Sequence, residues 1–316
     1  MTRKYFGTDG IRGRANAGVI TPGMVLKVAM AAALVLQKRR ADADQTNRVI
    51  IGKDPRLSGY MIEEAMCAGF VAMGMDVVLT GPIPTPGISY LTRSLRCDMG
   101  VMISASHNSF QDNGIKLFGP DGFKLDDELE LEIEAKIDEN LDSELSTPEK
   151  LGKATRLDDC LGRYAEYIKG SFPKRETFEG LKVVIDCANG AAYKVAPQTL
   201  WELECEVVAI GNAPNGRNIN QNCGATSPAQ LQKALVETKA DIGLALDGDA
   251  DRLIVVDEKG EVVDGDQIMG ALALSLKSQG ALQGDTLVST VMSNLGLERK
   301  LEAEGIQLIR TQVGDR

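Results

Sequence analysis

Met99-Gly-Val-Met-Ile103 carries no charged or hydroxyl side chain, and it runs straight into Ser104-Ala-Ser-His-Asn108. A short uncharged run that ends in a polar cluster reads as a strand buried on both faces. Further strands are read at Arg48–Gly52 (RVIIG), Asp76–Leu79, Lys182–Ile185, Glu206–Ile210 and Asp241–Leu246, each an apolar run led by one charged residue. Helical patterns lie between them. One starts at Ser58 and runs to about Gly74, with Met61, Met66, Phe70 and Met73 on its apolar face. A second covers Pro86–Leu95 after the turn GPIPTPG at 81–87, and a third covers Ala191–Leu203. Buried strands alternating with helices predict βαβ units. The fold class expected is therefore α/β: consecutive three-layer domains with mixed, mainly parallel sheets.

The rest of the chain fits around that alternation. Asn113-Gly114 predicts a hairpin turn leading into a strand at Ile115–Phe118. Asp126–Asn140 predicts a helix with Leu125, Leu129, Ile133 and Ile137 inward and its acids on a solvated face. Ser58 reads as a helix cap, and Ser227-Pro228 with Gln230 reads as a capped helix start. Residues 141–157 read as a linker, and 211–226 as a long loop. Leu253–Val256 should pair with Glu261–Val263 across Lys259-Gly260, followed by a helix at Gln267–Lys277. A third unit has a strand at Thr286–Val291, a helix near Leu295–Glu304 and a strand at Gln307–Arg310, and there it looks cut off. The expected division is 1–155, 156–256 and 257–316, the last incomplete.

Composition limits the function. The chain has 316 residues and a formal charge of −10, with 43% hydrophobic residues. A net acidic protein without a dense basic block is a poor partner for nucleic acid or an anionic membrane. His107 is the single histidine, which excludes multi-histidine zinc sites. The six cysteines form no CxxC pair and read as buried thiols of a reducing compartment. The N-terminus has no apolar segment of signal-peptide length, and Val28–Leu36 is too short to span a bilayer. A cytoplasmic location without membrane attachment is expected.

Four stretches carry chemistry. Ser104, Ser106, His107 and Asn108 follow a buried strand, where ligands bind in open α/β sheets. A polar capping loop is the plain alternative. A Ser–His–Asp triad is disfavoured, because the only histidine adjoins Ser106 in sequence. Asp247-Gly-Asp-Ala-Asp-Arg252 also follows an apolar strand. Its three carboxylates at alternate positions can turn inward on one hard cation, and would repel each other without one. Magnesium is the favoured ion. An EF-hand is disfavoured because Arg252 stands where that loop needs glycine, and a plain acidic turn is the remaining alternative. Arg252 beside such a cation suits a phosphate. Phe6-Gly-Thr-Asp-Gly-Ile-Arg-Gly13 offers close backbone approach and the Arg12 fork, or simply a glycine-rich turn. Gly52-Lys-Asp-Pro-Arg-Leu-Ser58 places Lys53 and Arg56 near the same crevice.

Together FGTDGIRG, ISASHN with NGIK, and DGDADR resemble the α-D-phosphohexomutase superfamily, most closely its bacterial glucosamine-phosphate branch. GKDPRLSG, PIPTPG, DCANGA, VDGDQIM and VMSNLGLE support the resemblance, which covers nearly the whole chain. It implies four domains, the first three related, and isomerisation of a sugar phosphate through a phosphorylated serine. Ser106 matches that serine. Asp247, Asp249 and Asp251 match the magnesium ligands, with an oxygen on Ser106 completing the set. Arg12 and Arg252 match groups beside the phosphoryl group, and Lys116 matches the general acid/base, with His107 nearby. The implied substrate is a small sugar phosphate, with glucosamine 1,6-bisphosphate as intermediate and activator. A phosphomannomutase/phosphoglucomutase is the near alternative, and a non-catalytic fragment that holds magnesium is the alternative of another class. The resemblance leaves open whether the chain forms a homodimer. Ser109 replaces the family's usual proline, which should loosen the loop. Asp315-Arg316 in place of a histidine leans toward glucosamine phosphate. The sugar-selecting loop and a C-terminal phosphate-binding loop should lie beyond Arg316, so little turnover is expected of this chain alone.

Overall fold

The computed structural model describes residues 3–39 and 47–313. The reading of Asp315-Arg316 lies outside them. In chain order the elements are β1 (Ile11–Arg14), α1 (Pro22–Arg39), β2 (Arg48–Lys53), α2 (Ser58–Ala72), β3 (Asp76–Pro82), α3 (Thr85–Ser94), β4 (Met99–Ile103), β5 (Asp112–Phe118), α4 (Asp127–Ile137) and β6 (Ala154–Arg156). There follow α5 (Cys160–Lys169), β7 (Lys182–Asp186), α6 (Val195–Glu202), β8 (Glu206–Ile210), α7 (Ala229–Thr238), β9 (Ile242–Leu246), β10 (Leu253–Val256) and β11 (Val262–Val263). The last are α8 (Gly265–Ser278), β12 (Thr286–Thr290), α9 (Leu295–Ala303) and β13 (Gln307–Thr311).

The first sheet has the order β1-β5-β4-β2-β3-β6, and its layers follow from strand alternation. Val49 and Ile51 of β2 point into one core, with Val25, Val28 and Leu34 of α1, Met66 and Phe70 of α2, and Ile133 of α4. Ile50, between them, points into another core, with Ile88 and Leu91 of α3 and Tyr164 of α5. Each such side chain contributes about 1.5–3 kcal/mol when fully withdrawn from water. The strands β4, β2, β3 and β6 run parallel; β5 pairs antiparallel with β4, and β1 pairs antiparallel with β5 and so runs with the others. The second sheet, β11-β10-β9-β7-β8, has the same mixed character. Its core joins Val184, Ala245 and Val256 to Leu231 and Leu235 of α7. The expected boundary at residue 256 falls inside this sheet, because the turn after β10 returns β11 to pair with it. The parallel pair β12–β13 forms a third sheet, packed on α8 and α9 through Leu287, Leu308, Ala273 and Leu301.

Several local expectations fail for identifiable reasons. Asn113-Gly114 is no turn: both residues lie inside β5, and residues 104–111 make the connection from β4. Gly114 is needed there for clearance, since a Cβ would come within 2.7 Å of the Ser104 carbonyl oxygen and 2.9 Å of that of Ile11. The supposed linker contains β6, three residues that complete the first sheet by pairing with β3. So short and exposed a strand has no apolar period to betray it. Ser58 does not cap α2; its hydroxyl accepts from Asn113. Ser227 does not cap α7, which starts after Pro228 without a side-chain cap.

The acidic helix α4 is not wholly solvated either. Glu130 and Glu134 are buried. The Glu134 carboxylate accepts the backbone N–H groups of Lys4, Tyr5 and Phe6 in succession. One side chain thus holds the segment that leads to Asp9, Arg12 and β1. Glu134→Ala should lower the unfolding free energy by about 2–3 kcal/mol, because a donor left unsatisfied in the interior costs about 1–3 kcal/mol. Urea unfolding checks this; coincident curves for parent and variant would show that the anchor contributes nothing.

Candidate active site

Ser106 lies beyond the carboxyl end of β4, and Asp247 lies beyond that of β9. The two loops meet. The Ser106 hydroxyl donates to Asp247 Oδ2 at 2.6 Å. Close backbone contact makes this approach possible: a Cβ on Gly248 would sit 2.5 Å from the Ser106 carbonyl oxygen. Ser106 itself has φ +51°, in the left-handed region, and Ala250 has φ +56°. Such a residue costs of order 1 kcal/mol or more and persists only where its surroundings dictate it.

The surroundings of Ser106 do so. Its N–H donates to Ser104 Oγ (2.9 Å), and the Ser104 hydroxyl donates to Asp54 Oδ2 (2.6 Å). Asp54 is fully buried and also receives the Arg56 Nε at 2.8 Å. Burial drives the Asp54 pKa upward against the pull of Arg56. The buried Arg56 guanidinium donates onward to the carbonyls of Ser106 (2.8 Å), Asn108 (2.9 Å), Asp112 (3.1 Å) and Ser109. From the second unit, Asn220 Nδ2 donates to the Ser106 and Asn108 carbonyls at 2.8 and 3.0 Å. Ser109 therefore sits in a loop whose carbonyls are already held from two sides, and proline is not needed to stiffen it. Arg56 lies behind the loop instead of lining a crevice. Lys53, also buried, pairs with Glu63 at 3.0 Å and faces the Tyr60 ring.

Asp247 and Asp249 are fully buried, while Asp251 keeps a third of its side chain exposed. One oxygen from each lies within 4.8 Å of the others. Burial pushes the Asp247 pKa up to about 6, and the neighbouring Asp249 charge adds to the effect. Burial works against the Asp249 charge too, but Lys116 outweighs it and holds that carboxyl below the usual range. Lys116 extends from β5 and is itself buried. Its Nζ lies 2.8 Å from Asp249, 3.2 Å from Asp251 and 3.3 Å from Asp9. Asp249 Oδ2 also accepts from the Thr85 hydroxyl at 2.6 Å. Among the described residues, Asp249 Oδ1 is buried without a hydrogen-bond partner. An unpartnered buried carboxylate oxygen, on a residue clustered with two further acids, fits a hard divalent cation.

The remaining expected residues lie around this centre. Arg12, on β1, pairs with Asp9, and burial lowers its pKa. Arg252 is largely exposed; its N–H donates to Asp247 Oδ1 at 3.3 Å, and its guanidinium lies 3.9 Å from Asp251. The His107 Nδ1 is 3.4 Å from Ser106 Oγ, longer than a working triad contact. Burial, then the nearby Arg252 and Arg12 charges, lower the His107 pKa. Asp9, Asp54, Thr85 and Asn220 belong to the site yet are not expected from sequence. Their motifs, FGTDGIRG, GKDPRLSG and PIPTPG, were the available signal, while Asn220 had none beyond a long polar loop.

Comparison with known proteins gives the family. Profiles described as "Phosphoglucomutase/phosphomannomutase, alpha/beta/alpha domain" I, II and III match residues 3–144, 162–260 and 264–316. The chain is 60% identical over its whole length to a phosphoglucosamine mutase of Parvibaculum lavamentivorans, of which it covers 70%. The figures are the same for the phosphoglucosamine mutase of Xanthobacter autotrophicus. Among solved structures, a phosphoglucomutase/phosphomannomutase family protein of Burkholderia thailandensis superposes with a TM-score of 0.83 at 26% identity. That superposition takes in 98% of this chain and 66% of the other. With all three domain profiles in sequence, and a serine and three aspartates brought together by the first two, the chain belongs to the phosphoglucomutase/phosphomannomutase family.

Proposed function

We propose that this chain carries the phosphoryl-transfer centre of a phosphoglucosamine mutase, interconverting glucosamine 6-phosphate and glucosamine 1-phosphate. The contact that supports this reading most is the Ser106 hydroxyl on Asp247, inside an acidic triad with its own buried lysine. The 60% identity to phosphoglucosamine mutases favours the glucosamine phosphates over other hexose phosphates. Among the described residues no helix is long and apolar enough to cross a membrane. The six cysteines are unbonded, which suits the cytoplasm.

In this reading a phosphoryl group on Ser106 Oγ moves to the free hydroxyl of the sugar phosphate. The P–Oγ bond breaks, a P–O bond to the sugar forms, and the sugar hydroxyl gives up its proton. The resulting 1,6-bisphosphate turns over, and Ser106 Oγ takes back the other phosphoryl group. Asp247, Asp249 and Asp251, with an oxygen on Ser106, would hold magnesium. Bound there, the ion would offset the charge on the phosphoryl oxygens. Arg12 and Arg252 would hold the same oxygens with their forks. Lys116 Nζ moves a proton to or from the reacting hydroxyl, and His107 lines the pocket beside Ser106. The buried loop network keeps Ser106 Oγ aimed.

Two measurements test this. Incubated with glucosamine 1,6-bisphosphate and magnesium, the chain should acquire one phosphate on the Ser106 peptide, read by mass spectrometry. Ser106→Ala should reduce that labelling at least about 10³-fold; equal labelling elsewhere on the variant would refute the assignment. Lys116→Ala leaves Asp249 buried without its cation, a loss of about 3–5 kcal/mol of stability for a broken buried pair. Urea unfolding should show this loss, with partial recovery on adding magnesium. An unchanged midpoint would mean that the lysine does not neutralise the triad.

A further inference from the structure

We infer that Thr85 is the positioning residue that fixes the Asp249 carboxylate with one oxygen turned toward the metal; this rests on the triad being the magnesium site. Asp249 is fully buried, and its two oxygens have different surroundings. Oδ2 receives Thr85 Oγ1 at 2.6 Å and Lys116 Nζ at 2.8 Å, whereas Oδ1 receives nothing. Two donors on one oxygen oppose rotation of the carboxylate, which leaves Oδ1 as the oxygen open to a cation.

Of the two donors, Thr85 is the one able to set direction. Lys116 stands on a flexible stem and divides its ammonium among Asp9, Asp249 and Asp251. Thr85 is buried and grips Asp249 twice, since its backbone N–H also donates to the Asp249 carbonyl at 2.9 Å. It opens α3 between Pro84 and Pro86, which restrict the backbone on both sides. Its branched side chain has few χ1 states. The hydroxyl direction is therefore fixed before any ion arrives. Thr85 comes from the first sheet's crossover and Asp249 from a loop of the second sheet, so the hydroxyl also ties ligand orientation to the seating of the two units.

The test is magnesium binding by isothermal titration calorimetry on the full chain, with Thr85→Val, Thr85→Ser and Asp249→Asn beside the parent. Outer partners of metal ligands are worth about 10–100-fold in affinity. Thr85→Val should weaken magnesium by that factor, and Thr85→Ser, which keeps the hydroxyl, should bind like the parent. Circular dichroism and urea midpoints establish that each variant is folded; Thr85→Ala replaces the valine variant if that one is not. Parent-like affinity in Thr85→Val, or equal weakening in Thr85→Ser, overturns the inference. In either case loss of binding in Asp249→Asn leaves the triad intact as the metal site. Unaltered binding in Asp249→Asn would instead sink the metal site itself, and the role of Thr85 with it.

Discussion

Two carboxylates that solvent does not reach, Asp247 and Asp249, stand where the first and second units meet, and the rest of the site answers to their charge. Buried anions at close range are expensive unless something pairs with them. The first unit supplies the pairing: Lys116 from β5, the Thr85 hydroxyl from α3 and the Ser106 hydroxyl from the loop after β4. Neither unit holds this arrangement alone. The charge on the second is offset by groups on the first, so the site is an interface property as much as a loop property.

The same requirement explains the layered support behind Ser106. A serine held in the left-handed region beside a carboxylate must not relax away from it. Asp54, Arg56 and Ser104 fix the loop from within the first unit, and Asn220 fixes the same carbonyls from the second. Arg56 is the costliest component, a guanidinium with no exposed surface. It is tolerated because Asp54 and the loop carbonyls accept its donors. The loop's shape is thus set by a buried ion pair instead of by the glycines and prolines usual in tight turns.

What the sequence disclosed follows from physical range. The strands β2, β4, β7 and β9 were legible because a short apolar run needs no knowledge of its neighbours. Ser106 and the three aspartates were legible because their order along the chain already forces them beyond strand ends. The failures all depended on distant partners. β6 exists only because β3 offers an open edge. Glu134 looks like one more surface acid until the N-terminal segment lies against it. Ser58 looks like a cap until Asn113 claims its hydroxyl. Arg56 looked like a ligand-facing cation, and only the fold shows that its ligands are main-chain oxygens. Asn113-Gly114 has a strong local turn signal, yet the close three-strand approach at Gly114 overrules it.

The hold of Glu134 on residues 4–6 also bears on how the chain becomes native. Synthesis proceeds from the N-terminus, but the segment carrying Asp9 and Arg12 has no seat until α4 has been made. β1 likewise has no partner until β5 exists. Residues 4–14 therefore lack their native partners until the later part of their unit has been made. The seat of Arg12 is thus supplied by residues well downstream of it, and the acidic loop belongs to the second sheet, further on still. Ser106 and Asp247 can therefore meet only once both units have been made.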